Sequence, residues 1–445
     1  MGTLEKKVQG YLPPDAPPWG AMLSLGLQHV ITMFPATVLV ALLTGFDVGV
    51  TLFGSGLATI IAILGSRGRI PLYYGSSFSY LAPVIAVAGA EWGGTQVAQV
   101  GIVATAVVNV LAGLIIRITG KSALDRVLPP IVTGSVAIVI GIALAKAALD
   151  MSSANWLVAT ITLVSTVLFS VYLRGRGLLG MLPVLLGALV GYLVSLAVGE
   201  VGFTPVVEAP WFSLPAFSLP AFGSPSVWKA VLAIAPIAIA TIPESTAHLY
   251  QISLYVDHLA DEMGRPRLNI KELIGLNLIL DGVGDGINGL IGGCAGTNYG
   301  ENNSLMAITR NYSAPVLATA GAIAMLLAFV GKLSAVVTTL PVAVTGGLAI
   351  YLFGVIGLQG IALIQANEVN LFDPRQLAIG AVVLIVGLGG VAFEGGNIPF
   401  YGMQLPSIAT AAVLGIVLNL LFIIIPDKRG EVITGEEAEA TASAD

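Results

Sequence analysis

Gly296-Thr297-Asn298-Tyr299-Gly300-Glu301-Asn302-Asn303-Ser304-Leu305-Met306-Ala307-Ile308-Thr309-Arg310 is a polar interruption in a chain otherwise built of apolar runs. The preceding segment is hydrophobic as far as Gly292-Gly293; the stretch then opens on small and polar residues and a carboxylate. From Glu301 to Arg310 is about 14 Å of helix at 1.5 Å per residue, roughly half of a hydrocarbon core about 30 Å thick. With Arg310 at one membrane face, Glu301 falls near the midplane, at the N-terminus of a half-length helix. Backbone N–H groups without intrahelical partners point there, beside a carboxylate and side-chain amides. Irregular polar backbone at that depth is tolerated only where it lines a cavity inside the protein. The stretch is therefore expected to form a substrate site within a membrane.

The composition calls for such a membrane. Of 445 residues, 56% are hydrophobic and only 10% charged, against about a quarter charged in soluble chains; mean hydropathy is +0.92. The net charge of −6 overstates any acidic character, because Glu431, Glu436, Glu437, Glu439 and Asp445 crowd a polar tail expected to be disordered. A single cysteine, Cys294, excludes an intrachain disulfide. Residues 1–18 lack the apolar core of a cleavable signal peptide, so the first span is expected to stay in the mature protein.

Apolar windows long enough to cross a bilayer fall near 20–45, 48–66, 97–119, 127–149, 155–173, 178–198, 227–247, 272–293, 313–331, 337–358, 375–395 and 405–425. Two shorter, interrupted ones lie near 70–90 and 294–310. The expectation is an all-α polytopic membrane protein of fourteen transmembrane segments, with both termini on one side. Lys6, Lys7, Arg67, Arg69, Arg117, Lys121, Arg126, Arg174, Arg176, Arg265, Arg267, Lys271, Arg310, Arg375, Lys428 and Arg429 share that side, and only Lys146, Lys229 and Lys332 fall on the other. This positive-inside bias makes the termini cytoplasmic.

A Pro-rich outer loop, 199–226, divides the chain after seven spans, between a first seven-span unit (20–198) and a second (227–425). Residues 1–19 and 426–445 form the cytoplasmic ends. The loop repeats Ser213-Leu214-Pro215-Ala216-Phe217 at once as Ser218-Leu219-Pro220-Ala221-Phe222, read as a local duplication. Because seven is odd, a second copy of the first unit inserts upside down. The third span supports such inverted repeats. Its Tyr74-Gly75 precedes Tyr299-Gly300 by about half the chain, and Pro71–Phe78 is polar and extended before turning helical. Two interrupted spans at corresponding positions point to an inverted-repeat transporter and its site. Short extended stretches are expected in spans 3 and 10, their half-helices meeting N-terminus to N-terminus.

Glu244 and His248, four residues apart, share one face of the eighth span, and Pro243 opens the helix beside them. Ionisable residues inside spans face pathways or cavities; the alternative is a solvated cytoplasmic end. For Glu301 the alternative is a cap on its own helix. Asp281 and Asp285 either bind backbone N–H groups and hold the broken segments, or take part in the site. Gln28-His29 either orients the site or bridges helices, and Phe78 either packs or stacks on a flat ligand.

Gln28-His29, Gly75-Ser76-Ser77-Phe78, Glu244-x-x-x-His248 and Tyr299-Gly300-Glu301-Asn302 with Met306-Ala307-Ile308-Thr309-Arg310 resemble the nucleobase–ascorbate transporters, especially the bacterial uracil permeases. The resemblance runs over essentially the whole chain. It implies a core domain (spans 1–4 and 8–11) that carries substrate and a gate domain (5–7 and 12–14) that mediates homodimerisation. It further implies that Glu244 and Glu301 hydrogen-bond the nucleobase, that backbone at Gly300 and Ala36 lies nearby, and that Phe78 packs against the ring. His248 is implied in proton coupling; Gln28, His29, Asn302, Ser77, Asp281 and Asp285 support the site. Glutamate at 301 with histidine at 248 goes with uracil, whereas purine carriers tend to have glutamine and aspartate there. Two residues depart from the pattern. Ser304 stands where the motif has glycine, and Pro35 stands where glycine is usual before Ala36.

The expected function is thus proton-coupled import of a nucleobase, uracil foremost, across the plasma (inner) membrane by movement of core against gate. A purine permease for xanthine or urate and an anion transporter of similar fold are the alternatives. No His-Glu-x-x-His, Gly-x-Ser-x-Gly or phosphate-binding loop points to an enzyme. The reading calls for no cofactor, metal or nucleic-acid partner.

Overall fold

The computed structural model describes residues 10–425 apart from 121, 123–125, 394, 395 and 402. The charges at Lys6, Lys7, Lys121, Lys428 and Arg429 and the acidic tail lie outside the described residues.

Apolar windows become helices because their backbone groups can be satisfied only within the segment. They run Trp19–Thr44, Val48–Gly65, Leu81–Ala88, Thr95–Thr119, Pro130–Ala143 with Ala145–Ser152, Trp156–Tyr172 and Pro183–Ala197. The second half gives Val227–Ile234 with Ala238–Glu262, Ile274–Ile291, Gly300–Thr309, Ala314–Leu327, Val342–Ala366, Pro374–Gly390 and Ser407–Ile424. With Pro130–Ser152 and Val227–Glu262 each taken as one, seven helices among the described residues are long and apolar enough to cross a membrane. The eighth span differs from its window, which ends at 247. Pro243 removes one backbone donor without stopping the helix, which continues to Glu262; Gly264, at φ 65°, follows its end. Glu244 and His248 therefore sit in mid-helix rather than at a solvated end.

The helices pack in two groups. In one, Thr95–Thr119 lies along Ile274–Ile291, and Val48–Gly65 lies against Ala314–Leu327 and Trp19–Thr44. The first pair approaches closely where Gly113 and Gly275 meet: a Cβ on either falls 2.6–2.8 Å from the other's carbonyl oxygen. In the other group, Val342–Ala366 packs on Pro130–Ala143, Ala145–Ser152 and Trp156–Tyr172, and Pro374–Gly390 packs on Ser407–Ile424.

The two interrupted spans cross inside the first group. Strand β1 (Tyr74–Ser76) pairs antiparallel with β2 (Gly296–Asn298) in the register Tyr74↔Asn298, Gly75↔Thr297, Ser76↔Gly296. All six residues are buried. A short helix follows each strand, so the expected extended-then-helical pattern holds at both sites. A second hairpin, Asn397–Phe400 with Met403–Pro406, has no counterpart in the sequence reading. Prolines 399 and 406 keep that stretch out of helix without giving it a strand's alternation.

Two connecting segments tie helix ends together. Near the N-terminus, Leu12 is fully buried. Tyr11 N–H donates to the Arg310 carbonyl (3.0 Å), Ala314 N–H to that of Pro13 (3.0 Å), and the Ser313 hydroxyl to that of Asp15 (2.6 Å). Burial works against the Asp15 charge, but the Arg265 hydrogen bond at 2.6 Å and its charge hold the carboxyl below the usual carboxylate range. In the Pro-rich loop 199–226 the two five-residue copies are used alike. Ser213 N–H donates to the Phe329 carbonyl (2.9 Å) and Ser218 N–H to that of Ile291 (3.0 Å). Pro215 and Pro220 are buried, and Leu214 and Leu219 are exposed. The duplication makes two equivalent clips onto helix ends.

Candidate functional site

Residues Ser76–Ser79 at the end of β1 and the turn after it, the face of the eighth span carrying Glu244, His248 and Gln251, and Thr297–Glu301 with Ser304 line one wall of a cavity of about 710 Å3. Thr133, Ala137, Leu352, Val355, Ile356, Gln359 and Leu363, from the second helix group, line the opposite wall. One wall is polar and titratable, the other mostly aliphatic.

His248 is fixed by the second broken span. Its Nδ1 lies 2.7 Å from the Asn298 carbonyl oxygen, which can only accept, so Nδ1 carries a proton. Nε2 is left facing Gly300, where a Cβ would stand 2.9 Å from it. Asn303 Nδ2 donates to the His248 carbonyl at 3.1 Å, and Asn298 Nδ2 to Ser245 Oγ at 2.9 Å. The helix and the broken span are thus joined from both sides. Glu301 occupies the first turn of Gly300–Thr309 and is exposed to the cavity. Glu244 stands beside Ser79 and has Glu301 as its charged neighbour. Two carboxylates, one imidazole nitrogen and the uncapped N-terminus of Gly300–Thr309 therefore converge on one space.

Behind this wall Asp285 holds the crossing. Its Oδ1 accepts from Gly296 N–H (2.8 Å) and from the Tyr74 hydroxyl (2.7 Å), and its Oδ2 from Asn109 Nδ2 (2.9 Å). One carboxylate so touches both broken spans and the fourth helix. Asp281 stands 3.5 Å from Thr297 Oγ1 and Asn298 Nδ2. Both aspartates lie behind the wall, not on it. Asn302 is also buried there, its Nδ2 donating to the His29 carbonyl (3.2 Å) and lying 3.0 Å from His29 Nδ1.

Of the residues singled out from sequence, Ser77, Phe78, Glu244, His248, Gly300 and Glu301 meet at the cavity. Ala36 and Gln28 are half-buried and not among its lining residues. Of the two departures, Ser304 reaches the cavity, its hydroxyl donating to the Gly300 carbonyl at 3.0 Å, and Pro35 does not. Gln251 and Ser79 escaped notice. Gln251 was findable, since it continues the 244, 248 face by one more turn. Thr133 and Gln359 were not, because nothing in an apolar window says which polar residue faces a cavity.

Broken helices whose polar backbone lines an internal cavity, within a bundle of membrane-spanning helices, define a multi-pass membrane transporter rather than an enzyme. A family model described as "Permease family" (Xan_ur_permease) matches residues 20–395. The uracil permease of Bacillus caldolyticus is 38% identical over 418 residues, covering 92% of this chain and 93% of that one. The uracil permease of Escherichia coli strain K12 is 35% identical over 442 residues, covering 96% and 97%. The chain belongs to this permease family, that of the nucleobase–ascorbate transporters. Among solved structures, the transmembrane domain of the cyanobacterial bicarbonate transporter BicA has the same fold at 14% identity, with a TM-score of 0.56 and coverage of 90% of this chain and 97% of that one.

Proposed function

We propose that this permease is a proton-coupled symporter that imports a nucleobase, uracil in the first place, across the plasma membrane. The observation that carries the proposal is the convergence of Glu244, Glu301 and His248 Nε2 on one cavity between two helix groups. Uracil is flat and neutral, with two ring N–H groups and two carbonyls. The carboxylates accept from the former, the amides opening Gly300–Thr309 donate to the latter, and Phe78 lies against the ring. His248 Nε2 takes up the coupled proton, since an imidazole changes charge near neutral pH. The relatives named above, both uracil permeases, support this substrate.

In this reading the chain has fourteen spans in two inverted repeats with cytoplasmic termini. The group holding the broken spans is the core, and the group behind the aliphatic wall is the gate and the homodimer surface. Core moves against gate, exposing the cavity alternately to the two sides. Coupling requires proton and substrate to bias that same equilibrium. The decisive experiment is direct binding to the purified protein. Glu301→Ala abolishes uracil binding, because each hydrogen bond to a charged group is worth about 1.5–3 kcal/mol, and Glu301→Gln retains part of it. Wild-type affinity in Glu301→Ala overturns the assignment; competition by xanthine stronger than by uracil moves the substrate to the purines.

A further inference from the structure

Away from the substrate cavity lies a second crevice of about 200 Å3, and Pro35 is on its wall. Leu39 of Trp19–Thr44 forms one side. Leu185, Ala188 and Leu189 of Pro183–Ala197 form another, and Val336 of the short helix Gly331–Thr338 completes it. Leu348 of Val342–Ala366 also lines it, so the walls come from both helix groups. They are hydrocarbon throughout: the one hydroxyl among the lining side chains, that of Tyr192, is engaged with Thr339 Oγ1 at 2.8 Å.

We propose that this crevice is a binding site for a lipid acyl chain. Water does not fill it, because an ordered water needs two to four polar partners and the walls offer none. Leaving it empty forfeits the dispersion contacts of every lining atom. The surrounding elements include membrane-spanning helices, and the crevice is open on one flank: Leu39 is 3% exposed, whereas Leu189 is 52% and Val336 41% exposed. The exposed side chains at that flank, Leu189 and Val336, are apolar, as a surface facing bilayer hydrocarbon requires. A single chain entering past Leu189 buries apolar surface against both helix groups at once. This site takes neither nucleobase nor proton, so it stands independently of the substrate assignment.

The test uses the full chain in vesicles of phosphatidylcholine bearing a diazirine midway along one acyl tail. After illumination, adducts are mapped by mass spectrometry. Adducts are expected at Leu39, which a lipid on the outer surface cannot reach, as well as at lipid-facing positions such as Ile385. Ala188→Phe, which fills the crevice, reduces the Leu39 adduct to background and leaves that at Ile385. Labelling at Ile385 with none at Leu39 in the wild-type protein overturns the proposal, and so does a Leu39 adduct undiminished in a folded Ala188→Phe. Should that variant fail to fold, the wild-type map decides alone.

Discussion

Tyr74-Gly75 and Tyr299-Gly300 are the same dipeptide in the two broken spans, the first inside β1 and the second at the start of the helix after β2, and their surroundings differ in kind. Around β1 the side chains that bond the backbone are neutral: Tyr74 N–H donates to Thr59 Oγ1 (3.1 Å), and the Ser55 hydroxyl donates to the Tyr74 carbonyl (2.6 Å). Around β2 they are titratable, Asp285 on the Gly296 amide and His248 on the Asn298 carbonyl. Gly75 is small because the Tyr299 ring lies 2.4 Å from where its Cβ would be; Gly300 is small because His248 Nε2 is there. The helix after β1 begins without a charge, and the one after β2 begins with Glu301. A doubled scaffold thus carries an undoubled chemistry. On the proposed function the first crossing segment is a support, and the second, with the eighth span, is where protons and ligand would be handled.

The largest expected effect is at the joint between the two. Asp285→Ala strands three donors, and each buried donor left unsatisfied costs about 1–3 kcal/mol. The variant should be recovered poorly or melt far below wild type. Unchanged melting would mean that the crossing does not depend on this carboxylate. Next comes His248→Ala, which should leave uracil binding within about tenfold, or 1.4 kcal/mol, while accumulation driven by a pH difference across vesicles collapses. Equilibrium exchange of labelled uracil should suffer less. Continued accumulation would remove His248 from coupling and pass the role to Glu244, Glu301 or His29.

A pair of substitutions then separates the two glycines. Gly75→Ala presses on a buried aromatic ring and should lower the melting temperature. Gly300→Ala presses on one imidazole nitrogen and should weaken uracil binding with less loss of stability. Equal stability loss in both would erase the distinction between support and site. The smallest effect belongs to Ser77, whose side chain caps the turn after β1 by accepting from Ser79 N–H at 3.2 Å. Ser77→Ala should cost about 1 kcal/mol in thermal or denaturant unfolding and leave the substrate profile unchanged.

Much of this was legible in the chain. Fourteen apolar windows located the helices, because burial in lipid leaves the backbone little choice. The Tyr-Gly repetition located the two crossings, and the i, i+4 pair of Glu244 and His248 located a face. What stayed hidden was long-range pairing. Nothing local marks Asp285 as the acceptor for Tyr74, or Asn298 as the carbonyl for His248. The eighth window stopped early because polar residues at 241–248 lower its hydropathy without breaking the helix. Pro35 departs from the family pattern next to Ala36, which the resemblance places near the substrate. In space it belongs to another crevice.

The N-terminal tie has a consequence for how the protein is made. Ser313 Oγ reaches the Asp15 carbonyl across 298 residues of chain. At a synthesis rate of about 5–20 residues per second, that partner emerges roughly 15–60 s after Asp15 itself. Until then Leu12 has no burial site and the first span has no fixed neighbour among the eleventh-span residues it later packs against. Meanwhile the early spans have one another to pack against, as Trp19–Thr44 does with Val48–Gly65, but not their later neighbours. The first group of helices then closes late, as a unit, when the segment around Ser313 arrives.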